Sequence, residues 1–264
     1  MSDTEPADSV SLFRIRGDIL ATVSDTYGQI TVIENKIYRV LTFDRVCEQS
    51  KLQRSAPTLP VHNYIRAMLM AVALKPPRRS LVLGLGGGCL PRALFARDPL
   101  LTIDAVELRP AVIDMARRYF ALPESDKIRY HTADAEQFLS QIATQQYDVI
   151  FSDLYAANSM SPLQGRENFL RDAARALTDD GWLVLNYPQR PPANGQLMQA
   201  LRGQFTTLLR CVVPSGNVII YASKALFKLS LRELQLRASR TGHEFGCDFS
   251  NLVGKFAILS GRAE

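Results

Sequence analysis

Cysteine, histidine and tryptophan are scarce in this chain: four, three and one among 264 residues. The cysteines, at 47, 89, 211 and 247, form no CxxC pair and show no Cys/His ligand spacing. This argues against a metal centre and a disulfide framework, and it fits reduced thiols in a cytoplasmic protein. No Ser/His/Asp or Cys/His relay can be argued, and Cys89 reads as a small helix-start residue rather than a nucleophile. A membrane-length apolar run is also missing, since the longest, Met68 to Leu74, is far too short to cross a bilayer. Met1 to Ser9 is acidic and polar, so no secretory leader is expected. No internal repeat or low-complexity linker is present.

What remains is an ordinary globular composition, 47% hydrophobic and 22% charged, with enough apolar residues for a sizeable core. Lys and Arg outnumber Asp and Glu by 31 to 26, a net charge of +5. The excess is spread out. Lys224, Lys228, Arg232, Arg237 and Arg240 make a modest cluster, less concentrated than the basic and aromatic surface of a dedicated nucleic-acid binder, which reads as a solvated helix face, so nucleic acid is not the expected partner.

Two patterns divide the chain. Residues 1–60 hold segments of two-residue alternation, Ile15 to Val23, Gln29 to Ile33 and Ile37 to Phe43, with Glu34-Asn35-Lys36 as a turn: a small antiparallel β-hairpin segment. Residues 61–264 begin with a helix over Val61 to Leu74 that stops at Pro76-Pro77. Apolar strands then alternate with amphipathic helices. Strands are expected at Ser80 to Leu83, Leu101 to Val106, Ile128 to His131, Tyr147 to Ser152 and Trp182 to Asn186, the last entered through an Asp179-Asp180-Gly181 turn. Helices fall between them, and a helix, two strands and a helix follow through residue 240. This alternation implies right-handed βαβ crossovers and a mostly parallel sheet covered on both faces: an α/β fold of Rossmann-like type.

The chemistry collects at strand ends. Leu81-Val82-Leu83 runs directly into Gly84-Leu85-Gly86-Gly87-Gly88, a G-x-G-x-G turn opening a helix, where side chains would block the turn and keep the backbone from a ligand. Glu107 ends the next strand, where a carboxylate can accept two hydrogen bonds from a ribose diol. Asp134, in Thr132-Ala133-Asp134-Ala135, follows the third; it reads as a site residue or as the N-cap of a helix over Ala135 to Ile142, roles that coexist. Asp153 closes the fourth. Ligands of open parallel sheets sit beyond the carboxyl ends of the strands, so all four point at one crevice. Tyr155 is a candidate wall of that crevice, His62 reads as a helix-start residue, His131 as strand packing and Trp182 as core.

The glycine turn, Glu107, Asp134-Ala135 and Tyr147 to Asp153 resemble the nucleoside-binding motifs of class I S-adenosylmethionine-dependent transferases. With the hairpin from Tyr27 to Asp44 placed ahead of them, they resemble the spermidine synthase family of polyamine aminopropyltransferases. The resemblance runs from about Tyr27 to Asn186. It implies a Rossmann-like methyltransferase fold and a donor, S-adenosylmethionine or its decarboxylated form, with no metal. Gly84, Gly86 and Gly88 would approach the sulfonium end, Glu107 would hold the ribose, and Asp134 with the amide of Ala135 would read the adenine. Asp153, at the first acid of the family's D-S-x-D-P loop, would take a proton from an attacking amine. Family members commonly pair, so a homodimer is implied.

The chain also departs from that family. An ungapped match puts Gly87 where the family's loop Asp holds the aminopropyl ammonium, Ala156 at the second loop acid, and Ile65-Arg66-Ala67 on its Tyr-His-Glu. Without those carboxylates a dicationic polyamine would be left unpaired. Arg66 would repel a diamine and meet a carboxylate such as that of S-adenosylmethionine, or else is a surface residue. Three functions stay open: an aminopropyl or methyl transferase with an amine acceptor, a methyltransferase without polyamine activity, and a non-catalytic nucleoside-binding protein.

Overall fold

The computed structural model describes residues 15–156, 159–160 and 162–260. The acidic start, Met1 to Ser9, and Ala157-Asn158 of the expected loop lie outside the described residues.

The N-terminal alternation forms a four-stranded antiparallel meander of β1 (Asp18–Asp25), β2 (Gly28–Glu34), β3 (Tyr38–Thr42) and β4 (Ser50–Gln53). The strand β4 has too few residues to register as alternation. Ile30, Val32, Leu41 and Leu52 point inward from this sheet and pack with Val112, Met115 and Phe120 of the following domain.

The helix expected over Val61 to Leu74 is interrupted at Met70 into α1 (Asn63–Leu69) and α2 (Ala71–Leu74). It stops at Lys75, which is extended because it precedes proline. Then come β5 (Arg79–Leu83), α3 (Cys89–Arg97), β6 (Thr102–Glu107), α4 (Pro110–Tyr119), β7 (Ile128–Thr132), α5 (Ala135–Gln141) and β8 (Tyr147–Ser152). Pro110 occupies the first turn of α4, where its missing N–H costs nothing. A short ribbon of β9 (Tyr155–Ala156) and β10 (Ser159–Met160) leads to α6 (Glu167–Ala176) and β11 (Leu177–Tyr187). Asp179-Asp180-Gly181 is therefore not a turn. Leu177 is already extended at φ −78° and ψ 143°, so the chain passes from α6 straight into a strand whose register with β8 slips between Leu177 and Trp182.

The chain ends with α7 (Gln196–Gln204), β12 (Thr207–Val212), β13 (Val218–Ser223), α8 (Leu231–Glu244), α9 (Ser250–Val253) and β14 (Phe256–Ser260). The eight strands of the central sheet run β14-β12-β13-β11-β8-β5-β6-β7. From β11 to β7 neighbours are parallel, and β13, β12 and β14 add antiparallel strands at one edge. One apolar core lies on the face covered by α1, α2, α3 and α8, a second on the face covered by α5, α6 and α7. Trp182 is buried in the first core, as expected. Arg232, Arg237 and Arg240 lie exposed along α8. Among the described residues no helix is long and apolar enough to cross a membrane.

In this order β5 has β6 on one side and β8 on the other: the chain runs outward from β5 through β6 to β7 and then crosses back to lay β8 on the opposite side of β5. The crevice of an open sheet lies at such a switch, outside the carboxyl ends of the strands.

Candidate functional site

A cavity of about 1070 Å³ opens at that switch. Its lining includes Gly84 and Gly86, Glu107, Asp134 with Ala135, and Asp153, all drawn together from four strand ends. Tyr27 and Phe43 of the N-terminal sheet form part of its wall.

The glycine turn is shaped by its neighbours. Gly84 has φ +86°, and a Cβ there would lie 2.3 Å from the carbonyl oxygen of Asp153. The ends of β5 and β8 can close to this distance only over glycine, and they are tied by Asp153 N donating to Leu83 O at 2.9 Å. Gly88 is not among the lining residues. It is the left-handed N-cap of α3, and a Cβ there would strike Leu122 at 2.2 Å, so packing explains it. Gly87 donates its amide to Ser50 Oγ at 2.7 Å, and its missing Cβ would meet Phe120 and Ser50 at 2.9 Å. The absence of a carboxylate at 87 is thus matched by β4 and Phe120 filling its place. Arg92, 4% exposed, fixes the turn from behind by donating to the carbonyls of Gly87 (2.8 Å), Phe120 (2.7 Å) and Pro57 (2.6 Å).

Glu107 accepts from the amide of Leu85 at 3.1 Å and from that of Arg109 at 3.0 Å, so one carboxylate joins the glycine turn to the loop after β6. Burial pushes its pKa up, against the pull of these amides. Asp134 is the N-cap of α5, accepting from Glu136 N at 2.9 Å and Gln137 N at 3.0 Å, while still lining the cavity. The N-cap expected from the sequence is therefore observed, and the same residue faces the cavity.

Asp153 accepts from the side-chain amide of Asn186 at 2.8 Å, and the Tyr64 hydroxyl holds the same carboxyl. Burial pushes its pKa up to about 6, and these two donors limit the rise because they favour the ionised form. Asn186 in turn receives the amide of Asn217 at 3.1 Å. Tyr155 walls the cavity, and so does His62, which starts α1 with its ring stacked on Tyr64 at 5.4 Å.

Arg109 closes the rim. Its guanidinium grips Asp25 bidentately at 2.9 and 3.0 Å, donates to Gly28 O at 2.8 Å and lies 4.6 Å from the Phe43 ring, which locks the N-terminal sheet over the site. Cys89 also lines the cavity, but burial pushes its thiol pKa up and away from the thiolate. Of the two readings of Arg66, the one that places it against a ligand carboxylate does not hold: it is not a lining residue, and its Nε donates to Pro60 O at 2.8 Å. Its neighbours Tyr64 and Ile65 line the cavity instead.

Sequence reasoning missed Tyr64, Ser50, Asn217 and the role of Asn186. Asn186 carries the same signal as the acids, a polar residue at the carboxyl end of a parallel strand. Tyr64, Ser50 and Asn217 come from a helix, a strand of the N-terminal sheet and a loop, whose approach only the fold decides.

A doubly wound sheet with a glycine turn at its switch and acids at successive strand ends defines the class of methyltransferase-like, nucleotide-fold transferases. The spermine/spermidine synthase domain model matches residues 60–227. The chain belongs to the spermine/spermidine synthase family of transferases. It is 33% identical over 206 residues to the polyamine aminopropyltransferase of Vibrio vulnificus, which covers 74% of this chain and 68% of that protein. A crystal structure of a probable spermidine synthase from Corynebacterium glutamicum superposes with a TM-score of 0.74 at 18% identity, covering 92% of this chain and 91% of the other. Human methyltransferase-like protein 13, solved in complex with SAH, superposes with a TM-score of 0.63 at 26% identity, covering 70% of this chain and 93% of that one.

Proposed function

We propose that the cavity takes an S-adenosyl sulfonium donor, decarboxylated S-adenosylmethionine in the first instance, beside an amine, and that the enzyme transfers the aminopropyl group to that amine with Asp153 as proton acceptor. One observation carries the reading. Asp153 faces the cavity that also holds Glu107 and the glycine turn, and its burial sets its pKa at about 6.

The residues suit such a donor. Glu107 has a carboxylate at the strand end where a ribose diol would be held, Asp134 and the Ala135 amide stand at the next for the adenine, and Gly84 and Gly86 leave the backbone bare at the sulfonium end. When bound, the donor supplies an electrophilic carbon whose bond to sulfur breaks with the electron pair going to sulfur. Asp153 holds the acceptor nitrogen and takes one proton from it, leaving its lone pair free to form the new C–N bond. A carboxylate at about 6 is a stronger base than an exposed one yet remains mostly ionised at pH 7, which is what a proton acceptor needs. Tyr64 and Asn186 orient it. The homodimer that the resemblance implies is part of this reading, as is a cytoplasmic setting.

Methyl transfer from carboxylated S-adenosylmethionine is the second reading. It is favoured by the glycine turn, where Gly87 leaves the tail of a decarboxylated donor without an acid, and by the likeness to the human methyltransferase. The test is to incubate the purified protein with each donor and a panel of amines and identify the released nucleoside by mass spectrometry. Methylthioadenosine supports aminopropyl transfer, adenosylhomocysteine supports methyl transfer, and neither with any amine defeats both.

A further inference from the structure

The acceptor half of the cavity is poor in charge. Among the described residues its lining carries four carboxylates, Glu48, Glu107, Asp134 and Asp153. Glu48 is paired with Lys51 Nζ at 2.8 and 3.0 Å, while the other three accept only from neutral donors: Glu107 from the amides of Leu85 and Arg109, Asp134 from the first turn of α5, and Asp153 from Asn186 and Tyr64. Of these, Asp153 is the carboxylate that the transferase reading sets against the acceptor. The side chains grouped with it, Tyr64, Tyr155, Asn186, Asn217 and His62, are uncharged hydrogen-bonding groups, and burial holds His62 below the usual histidine range.

Two polar atoms of that wall are buried without a partner, the Tyr155 hydroxyl and His62 Nε2. The side chain of Asn217 is the hydrogen-bonding neighbour of the Tyr155 hydroxyl, at a geometry that falls short of a full bond, so the hydroxyl is only weakly held. Buried side-chain donors and acceptors are nearly always paired, so two orphans in one cavity mark where a ligand brings its own polar groups.

We propose that the acceptor is an amine bearing a single positive charge, with an uncharged hydroxyl- or amide-type remainder that pairs with Tyr155 and His62, and that a diamine is disfavoured. The proposal rests on the transferase reading above. Asp153 takes the reacting nitrogen and has no second carboxylate beside it, so a distal ammonium would enter the neutral wall stripped of water and unpaired. A distal hydroxyl both donates and accepts, so it suits either orphan, where an ammonium can only donate.

The test compares 4-aminobutan-1-ol with butane-1,4-diamine, equal in length and different in one terminal charge, on the full chain with whichever sulfonium donor it consumes. The amino alcohol is expected to have the higher kcat/KM by about 10-fold or more. Tyr155→Phe should lower kcat/KM for the amino alcohol by more than for the diamine, with calorimetric donor binding confirming an intact cavity. Asn217→Asp should raise diamine use selectively. A diamine used as well as or better than the amino alcohol overturns the proposal while the transferase reading stands. No release of nucleoside from either donor with any amine removes the transferase reading, and this proposal with it.

Discussion

The side-chain amide of Asn186 donates to Oδ1 of Asp153 at 2.8 Å, joining the carboxyl ends of β11 and β8 inside the cavity. The bond favours the ionised carboxylate against a burial that raises its pKa to about 6. If Asp153 accepts the proton, kcat/KM should fall on the acid side through an apparent pKa near 6. Asn186→Ala should move that limb to higher pH, because it removes a group that lowers the pKa. Asp153→Asn should cut the rate by about 10²-fold or more with donor affinity largely retained.

Stability follows the same carboxyl with the opposite sign. A pKa of about 6 in the folded chain, against the ordinary 3.8, means the native state binds more protons between those values, so the contribution of Asp153 falls as pH rises through them. Calorimetry at pH 7 should therefore show Asp153→Asn melting above the unmodified protein, by about 2–4 °C for each kcal/mol relieved. A lower Tm would show that the charged form is better solvated than its burial implies.

Glu107→Gln keeps one acceptor oxygen for the amides of Leu85 and Arg109 and loses the other, along with the charge toward the ribose. Titration calorimetry should find donor binding weakened by about 10- to 100-fold, as expected for a hydrogen bond to a charged group. Unchanged affinity would remove Glu107 from the nucleoside site.

Gly84→Ala places a Cβ 2.3 Å from the Asp153 carbonyl at a φ of +86°. Urea unfolding should register a loss of roughly 1–3 kcal/mol or more from the backbone conformation alone, with the clash added. Gly203→Ala is the control. It lies within α7 with nothing within 4 Å of the new methyl, and should raise stability by about 0.5–1 kcal/mol.

The Arg109 guanidinium beside Asp25 holds its carboxyl below the usual carboxylate range. The stability it gives is present above pH 4 and is lost as pH falls through the lowered value. Asp25→Asn should therefore speed amide exchange in β1 and β2 at pH 7, by a margin that narrows as pH falls through the lowered value. The same variant should raise the donor KM, since Arg109 holds the N-terminal sheet over the cavity.

The parallel strands and their order of acids were legible because a buried strand needs a short apolar run, and a polar residue just past it has to lie at the sheet's carboxyl edge. Glu107, Asp134 and Asp153 were found this way. The strand β4 and the passage from α6 into β11 were not, since four residues carry little periodicity and Asp179-Asp180-Gly181 has the composition of a turn. Arg66 shows the limit of transferring a motif by position alone. Two places along α1 are about two hundred degrees of rotation, so the site receives Tyr64 while Arg66 turns to Pro60.

Alternation of apolar strands with amphipathic helices, glycines at a turn where backbones nearly touch, and an acid at the ends of three successive strands were determined by the sequence itself, because they are local consequences of burial, φ and chain direction. Which side chains face Asp153, how far its pKa rises, and that Tyr155 and His62 stand without partners were decided only by the tertiary structure. Those properties belong to the space between elements distant along the chain, where desolvation and neighbours set the chemistry of each group.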